Sequence, residues 1–213
     1  MKLRLALPAG LLGLVAATSA HAQTVDDVAA SKDYPEERTR RSGFTIGTSG
    51  GFAFGRAQGY PNEIDKIGSG AYASNTKLGL GSGGAVWLGV AFNDYVSFGL
   101  GMGGLGLTGN DREASGGAFL FHFDAFPLFK VDKALRDLAV FGHVGTGPLE
   151  IKGGADPADG GLMAYVEGGI AYEALRFWQL GFGPSVSVMH MYSESATLTA
   201  ALVGGRLAFY SGP

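Results

Sequence analysis

The chain has 213 residues, enough for one domain, and it carries a formal net charge of −3. Only 16% of its residues are charged, 37 are glycine and none is cysteine, whereas soluble domains average about 25% charged residues and about 7% glycine. The acidic balance argues against a nucleic-acid partner, and the lack of cysteine excludes disulfides and cysteine-bound metals.

Residues 1–22 have the composition of a secretory signal peptide. Lys2 and Arg4 form a basic start, an apolar run of roughly a dozen residues follows, and Ala20-x-Ala22 supplies a small-residue cleavage site. A membrane anchor or a buried helix is the alternative, but the apolar run is shorter than the ~20 residues of a spanning helix. We therefore predict export across the inner membrane and cleavage after Ala22.

Residues 23–42 concentrate charge and offer little apolar surface. Such a segment does not bury enough apolar area to order itself alone. The sequence predicts a flexible, polar lead-in on the periplasmic side. A plug inside the following domain is the alternative.

From residue 43 onward, large apolar and small residues alternate with the period of two that is typical of β-strands. In 43–56 the even positions include Phe44, Ile46, Phe52 and Phe54, and the odd positions are small. Seven further segments carry the pattern in varying clarity. They are 78–92, 95–108, 117–129, 139–150, 161–173, 176–191 and 197–210. The count predicts eight antiparallel strands, with ten as the alternative.

The charges indicate which strand face meets which environment. Well inside the strands only Arg56, Asp124, Glu167 and Arg206 are charged. Strands with so little charge would pair edge to edge in water, whereas small side chains suit the narrow interior of an eight-stranded barrel and large apolar ones suit lipid. We predict an all-β fold over 43–213, a closed antiparallel up-and-down transmembrane β-barrel with large side chains outside and glycine and serine inside.

Aromatic residues are concentrated at one set of strand ends. These ends meet the predicted turns 93–95, 130–138 and 174–176 or the C-terminus, and the residues are Phe92, Tyr95, Phe126, Phe129, Tyr172, Phe177, Trp178, Phe209 and Tyr210. Amphipathic rings favour the depth of the lipid headgroups, so this set predicts an aromatic girdle at the periplasmic interface. The predicted extracellular connections are 57–77, 109–116, 151–160 and 192–196.

With these features the chain resembles the outer-membrane β-barrel superfamily, in particular small barrels similar to the outer-membrane protein A transmembrane domain. Gly204-x-x-Leu207-x-Phe209 looks like the family's C-terminal assembly signal, although Ser211-Gly212-Pro213 follow it. The resemblance implies a location in the outer membrane of a Gram-negative bacterium. Its expected partners are outer-membrane lipids, lipopolysaccharide in the outer leaflet and the barrel-assembly machinery, and the expected state is a monomer.

Strand parity places a polar cluster on the inward faces, formed by Glu167, Arg206, Asp124 and His122, and also by His143 if Val140 and Val144 face outward. Glu167 and Arg206 are expected to pair, because a lone charge in a confined site is costly. The pair is either structural or gates a narrow water path. Histidines beside carboxylates have metal-binding chemistry, but no tight ligand spacing accompanies them, so neither a metal nor another cofactor is predicted.

Three functions fit these features. The leading one is a non-enzymatic outer-membrane barrel with a structural or narrow-channel role. The second is a lipid-modifying hydrolase that uses His190 and Ser193 at a strand end, although their spacing of three puts them on opposite faces of a regular strand. Outer-membrane lipid A deacylases space the two residues two apart. The third is a soluble exported β-protein.

Overall fold

The computed structural model describes residues 39–59, 74–153 and 158–212. The predicted signal peptide 1–22 and nearly all of the predicted lead-in 23–42 lie outside these residues. Across the described ranges no helix is long and apolar enough to cross a membrane.

The described chain forms ten antiparallel strands, eight of them long. They are β1 (Gly43–Gly59), β2 (Ser74–Asn75), β3 (Gly79–Asn93), β4 (Val96–Gly109), β5 (Arg112–Ala125), β6 (Leu138–Lys152), β7 (Ala158–Tyr172), β8 (Leu175–Phe177), β9 (Leu180–Tyr192) and β10 (Ala196–Tyr210). The short strands β2 and β8 pair with the ends of β1 and β9.

The eight long strands close into a barrel. Each pairs with its sequence neighbour in the order β1, β3, β4, β5, β6, β7, β9 and β10, and β10 returns to pair with β1. Thr48 of β1, for example, faces Leu207 of β10 on one side and Val86 of β3 on the other. The predicted eight-stranded, up-and-down closed barrel is confirmed.

Chain termini and connections define two ends of this barrel. The terminal end holds the start of β1 and the end of β10, where Ser211 N donates a hydrogen bond to Phe44 O. The turn at Asp94, the connection 126–137 and residues 173–179 lie at the same end. The distal end holds the remaining connections, among them the turn at Asn110 and the turn at Ser193.

The outer surface is a continuous apolar belt. Its exposed side chains include Phe52, 82% exposed, and Val144, 53% exposed. The belt extends from Phe44 to Phe54, about ten residues along β1. With a rise of about 3.3 Å per residue and a strand tilt of about 40°, the belt is about 25 Å tall, which matches the lipid-facing band of membrane barrels. Closure within lipid is required, since an open edge would leave backbone groups unpaired there.

The barrel interior differs from the predicted glycine and serine lining. In the distal half, large apolar side chains fill the lumen, among them Leu107, Leu149, Ile151, Met191 and Leu198, each at most 1% exposed. A closed barrel has to be packed to the density of a protein interior, and small residues alone leave voids. The glycines admit these side chains from the opposite wall. A Cβ at Gly116, for instance, would lie 2.5 Å from Met191 Sδ.

The predicted aromatic girdle is only partly correct. Phe92, Phe177 and Trp178 are exposed by 66%, 80% and 80% and fit a girdle. Phe126 and Phe129 are instead buried, as is Tyr210. The connection 126–137 folds beneath the terminal end, with Phe129 N donating to Phe126 O and Leu138 N to Leu135 O, and this carries its aromatic rings inside.

Several predicted boundaries also move. The connection predicted at 109–116 shrinks to the two-residue turn Asn110-Asp111, in which both residues have positive φ, 53° and 56°. These values fit the tight turn that matches strand twist. The strand predicted to start at residue 176 starts at Leu180, because Trp178, with φ 58°, ends β8 in a turn.

Substitution of Gly47 tests the packing of the lumen. A Cβ there would lie 2.3 Å from Trp87 Cζ2, and overpacking of this kind costs about 1–3 kcal/mol. We expect Gly47→Ala to lower the urea midpoint of the barrel refolded in lipid vesicles, measured by tryptophan fluorescence. Gly50→Ala, whose Cβ meets nothing nearer than 3.5 Å, is the matched control and should leave the midpoint nearly unchanged. Equal midpoints for the two variants would contradict this packing.

Candidate functional site

The structure brings all five of the predicted lumenal residues together in the middle of the barrel. His122 and Asp124 come from β5, His143 from β6, Glu167 from β7 and Arg206 from β10. Each side chain lies on the inward face of its strand and is at most 6% exposed. These residues form one connected network, which we call the central network.

Hydrogen bonds run through the central network from Glu167 to Arg206. Glu167 Oε2 lies 2.7 Å from His143 Nδ1, and His143 Nε2 lies 2.7 Å from His122 Nδ1. His122 Nε2 lies 2.8 Å from Asp124 Oδ2, and the Arg206 guanidinium donates to both oxygens of Asp124. Each of the two imidazoles is hydrogen-bonded through both of its ring nitrogens, so these contacts form a continuous chain.

The number of protons in this chain follows from its donors and acceptors. Three hydrogen bonds involve the two imidazoles. A carboxylate, which accepts a hydrogen bond, lies at each end of this chain. Two neutral imidazoles supply only two N–H donors between them. A third proton in this chain satisfies all three bonds, and we predict that His122 and His143 share it. It also balances the charges, since Arg206 and the histidine pair then offset Asp124 and Glu167.

The expected ion pair between Glu167 and Arg206 is not formed. On β9, which lies between their strands, Glu167 faces Met189 and Arg206 faces Gly183. A separation of six residues along a strand corresponds to about 20 Å. Arg206 binds Asp124 across the lumen instead, at 2.6 Å, and its second acidic neighbour is Glu173 at 3.6 Å.

Glu167 is satisfied by neutral hydroxyls and by histidine. Tyr165 Oη and Ser187 Oγ each donate to its carboxylate at 2.6 Å, in addition to the bond with His143. Burying a carboxylate is costly unless its oxygens are hydrogen-bonded. Tyr165 and Ser187 therefore belong to the central network, although no sequence motif marks Ser187 as a member.

Trp87 covers one side of the central network. Its indole stacks on the His122 ring, with 4.1 Å between ring centroids, and the Arg206 guanidinium carbon lies 4.8 Å from the indole centroid. A cation over an indole face is attracted by the ring quadrupole. Gly47 leaves the space that the indole occupies.

At the terminal end a second group of charges, the terminal lock, closes the lumen. Glu173 accepts a hydrogen bond from Tyr210 Oη at 2.7 Å and one from Arg41 Nη2 at 3.3 Å. Arg41 also donates to Asp137 at 2.6 Å, and its guanidinium carbon lies 3.6 Å from the Phe126 ring centroid. The contact between Arg206 and Glu173 joins this lock to the central network.

Arg41 is fully buried although it belongs to the segment predicted as a flexible lead-in. Asp94 accepts hydrogen bonds from the backbone N–H groups of Arg40 and Arg41, and Arg176 donates to Arg40 O. Burial acts to lower the pKa of Arg41, but the negative charges of Glu173 and Asp137 outweigh it and hold the pKa above its ordinary value. Residues 39–42 therefore dock on the barrel.

Sequence reasoning missed the lock residues Arg41, Asp137 and Glu173. They lie in connections and in the segment before β1, where charge is ordinarily solvated. A usable signal was that basic Arg41 and acidic Asp137 and Glu173 all fall at the same end of an up-and-down barrel. Strand alternation predicts the orientation of side chains only within strands, so these three residues were not part of the predicted cluster.

The lumen leaves little free space beside the central network. A cavity of about 10 Å³ lies between Glu167, Phe141, Leu202 and glycines of β1, β3 and β10. That is room for about one water molecule. Together with the distal apolar packing and the terminal lock, it gives a lumen occupied by side chains along its length.

The structure separates His190 from Ser193. His190 points outward from β9, and its Nδ1 lies 2.7 Å from Thr199 Oγ1. Ser193 is in the β9–β10 turn, where its hydroxyl exchanges hydrogen bonds with the backbone of Ala196. His190 and Ser193 are thus hydrogen-bonded to other groups and not to each other, so they do not form a nucleophile–base pair.

Among residues 39–59, 74–153 and 158–212, no group of three or more histidine, aspartate or glutamate side chains is arranged to hold a metal ion. In the central network the ring nitrogens of His122 and His143 already face each other or a carboxylate. The network consists of ion pairs and hydrogen bonds between protein groups.

The closed sheet and its lipid-facing belt define the class of protein: this chain is an integral membrane β-barrel. An exposed apolar belt on this scale has no place on a soluble protein, so the soluble alternative loses its support. No protein-family model matches the chain, and no curated protein sequence matches it.

Solved structures of small barrels resemble the chain in fold. Ail, the attachment invasion locus protein of Yersinia pestis, is 10% identical with a TM-score of 0.50, and the match covers 78% of this chain and 99% of Ail. Neisserial surface protein A is 10% identical with a TM-score of 0.44, covering 79% and 98%. The outer membrane protein OprG from Pseudomonas aeruginosa is 14% identical with a TM-score of 0.41, covering 80% and 98%. At such identities the likeness concerns the fold.

The Asp124–Arg206 pair can be tested by a double-mutant cycle. Asp124→Asn and Arg206→Met each leave one buried charge without its partner, which costs about 3–5 kcal/mol. We expect the double variant to lose clearly less than the sum of the two, measured by urea unfolding in vesicles. Lys152→Gln, which breaks an exposed pair with Glu150, is the control and should change stability little. Strictly additive losses would show that the pair is not coupled.

The shared proton can be counted directly. In ¹⁵N-histidine-labelled barrel, we expect three imidazole N–H groups from His122 and His143 together, because three hydrogen bonds join them to each other and to two carboxylates. Heteronuclear NMR resolves these signals, and His143→Gln identifies those that belong to the pair. Detection of only two N–H groups would rule out the shared proton.

Proposed function

We propose that the protein is a non-conducting structural barrel of the outer membrane. The observation that carries the proposal is the filled lumen. Apolar side chains pack the distal half, the central network joins opposite walls in the middle, and the terminal lock occupies the other mouth. A conducting pore of this strand number would need a water path, and an interior of eight strands is just wide enough for side chains to fill.

The proposed orientation places the terminal end in the periplasm. The export signal predicted at residues 1–22 and the exposed aromatic rings at the terminal end support it. The distal connections then face the cell exterior. The longest of them joins β1 to β2.

A non-enzymatic role is part of the proposal. The residues with catalytic chemistry in the lumen, His122, His143, Asp124 and Glu167, are committed to one another at 2.7–2.8 Å through hydrogen bonds. Glu167 borders a cavity of about 10 Å³, which has room for about one water molecule and not for a substrate. Their arrangement serves to neutralise buried charge.

Planar-bilayer recording tests the absence of conduction. We expect no conductance steps above the bilayer baseline after insertion of the refolded barrel, because side chains of the described residues fill the lumen. A general porin inserted under the same conditions serves as the positive control. Heat-dependent electrophoretic mobility must first show that the barrel is folded. Reproducible open-channel steps from folded protein would overturn the structural role and favour the narrow channel.

A further inference from the structure

Polar side chains replace the apolar belt in one sector of the outer surface, at its distal edge. On β1, β10 and β9 the outward positions Phe54, Ala201 and Val188 are apolar and face one another across the strands. Phe54 is 45% and Val188 57% exposed, whereas Ala201 between them is small. The small residue leaves a notch between two larger ones at the rim of the belt.

The next outward row on the same strands consists of Arg56, Thr199 and His190. Arg56 faces Thr199, and Thr199 faces His190 in the strand register. Neighbouring strands are about 4.8 Å apart, so the row spans about 10 Å. We call this row the rim triad. All three side chains are exposed.

The polar atoms of the rim triad are already oriented by neighbours. Arg56 Nε donates to Asn75 Oδ1 at 3.1 Å and Arg56 Nη2 to Gln58 Oε1 at 3.2 Å, both neutral acceptors. Thr199 Oγ1 lies 2.7 Å from His190 Nδ1, and the His190 ring stacks on Tyr192 at 5.6 Å. The guanidinium and the imidazole are thus held on the outside of the barrel.

Arg56 carries a positive charge that no described acidic side chain neutralises. Its hydrogen bonds within the described ranges go to amide oxygens, and no carboxylate there lies within ion-pair distance of it. The outward cation Lys152 on the opposite wall differs, since it pairs with Glu150 at 3.0 Å. The rim triad is therefore a cationic sector at the lipid edge that is complementary to an anion.

We propose that the rim triad binds the phosphorylated headgroup of an outer-leaflet glycolipid, with an acyl chain of that lipid against the notch at Ala201. The proposal rests on the proposed orientation, which places the distal edge in the outer leaflet. Arginine presents a planar fork of N–H donors that suits phosphate oxygens. Thr199 and His190 add hydrogen-bonding groups within the same row. Lipopolysaccharide is the lipid whose chemistry combines these features.

The apolar row beneath the triad favours a lipid over free phosphate. A soluble anion would gain only the charge of Arg56, which water and salt screen. A lipid gains the same contact and also places apolar chains against Phe54, Ala201 and Val188. Basic pockets beside apolar membrane surfaces bind lipid headgroups by this combination.

The test measures lipid binding to the folded barrel in detergent by native mass spectrometry. Three probes are titrated: lipid A with its phosphates, the same lipid A after dephosphorylation, and inorganic phosphate alone. We expect the wild-type barrel to prefer phosphorylated over dephosphorylated lipid A by about tenfold, the order expected for a charge-assisted arginine–phosphate contact. Arg56→Gln should lose most of that preference, and His190→Gln part of it.

Lys152→Gln is the matched control, because it removes a cation from the same edge on the opposite wall. The proposal predicts that this variant keeps the phosphate preference. It is overturned if wild type shows no preference, or if Arg56→Gln and Lys152→Gln lose the preference equally, which would indicate general charge attraction. Competition by inorganic phosphate at concentrations equal to those of the lipid would also overturn it and assign the triad to a free anion.

Failure of this inference is separable from failure of the proposed function. The same samples are checked for heat-dependent mobility and for conductance. A folded, non-conducting barrel without phosphate preference overturns the rim triad alone. A conducting barrel overturns the proposal of a closed lumen. The lipid-binding proposal is then decided separately, by the phosphate preference of wild type, Arg56→Gln and Lys152→Gln.

Discussion

Pairing of backbone hydrogen-bonding groups inside lipid is the constraint on which the rest of this structure depends. Lipid offers no partner for an open strand edge, so β10 must return to β1. Closure at eight strands fixes a narrow interior, and a narrow interior has to be filled with side chains. The distal apolar packing, the central network and the terminal lock are three solutions to that one requirement.

Charge neutrality then governs what the polar part of the interior can contain. Arg206 lies against Asp124, and Glu167 lies against His143, Tyr165 and Ser187. The proton that we predict between the two histidines would make the charges of the central network cancel. Glu173 links this network to the terminal lock, so opposite walls are joined through buried polar contacts. Such contacts fix one arrangement of the barrel walls.

The outer surface does not need the specific packing that the lumen needs, because lipid adapts to its shape. Over most of the belt, exposed apolar side chains need no specific neighbour. The rim triad departs from this, since Arg56 places a cation at the edge of the belt and its hydrogen bonds within the described ranges go to neutral acceptors. This exposed cation at the lipid edge is the observation from which we infer a lipid-binding role for the rim triad.

The sequence by itself determined the barrel, the strand faces and the inward position of His122, Asp124, His143, Glu167 and Arg206, because side chains in a strand alternate strictly between two faces. Partners within the lumen were decided by the tertiary structure. Glu167 and Arg206 share a face, yet strand stagger sets them far apart, and Asp124 reaches Arg206 across the lumen. Connections have no such periodicity, so the burial of Arg41, Phe126 and Glu173 was also decided by the tertiary structure. Closure of the barrel brings these residues, which are distant in sequence, to one end of the lumen.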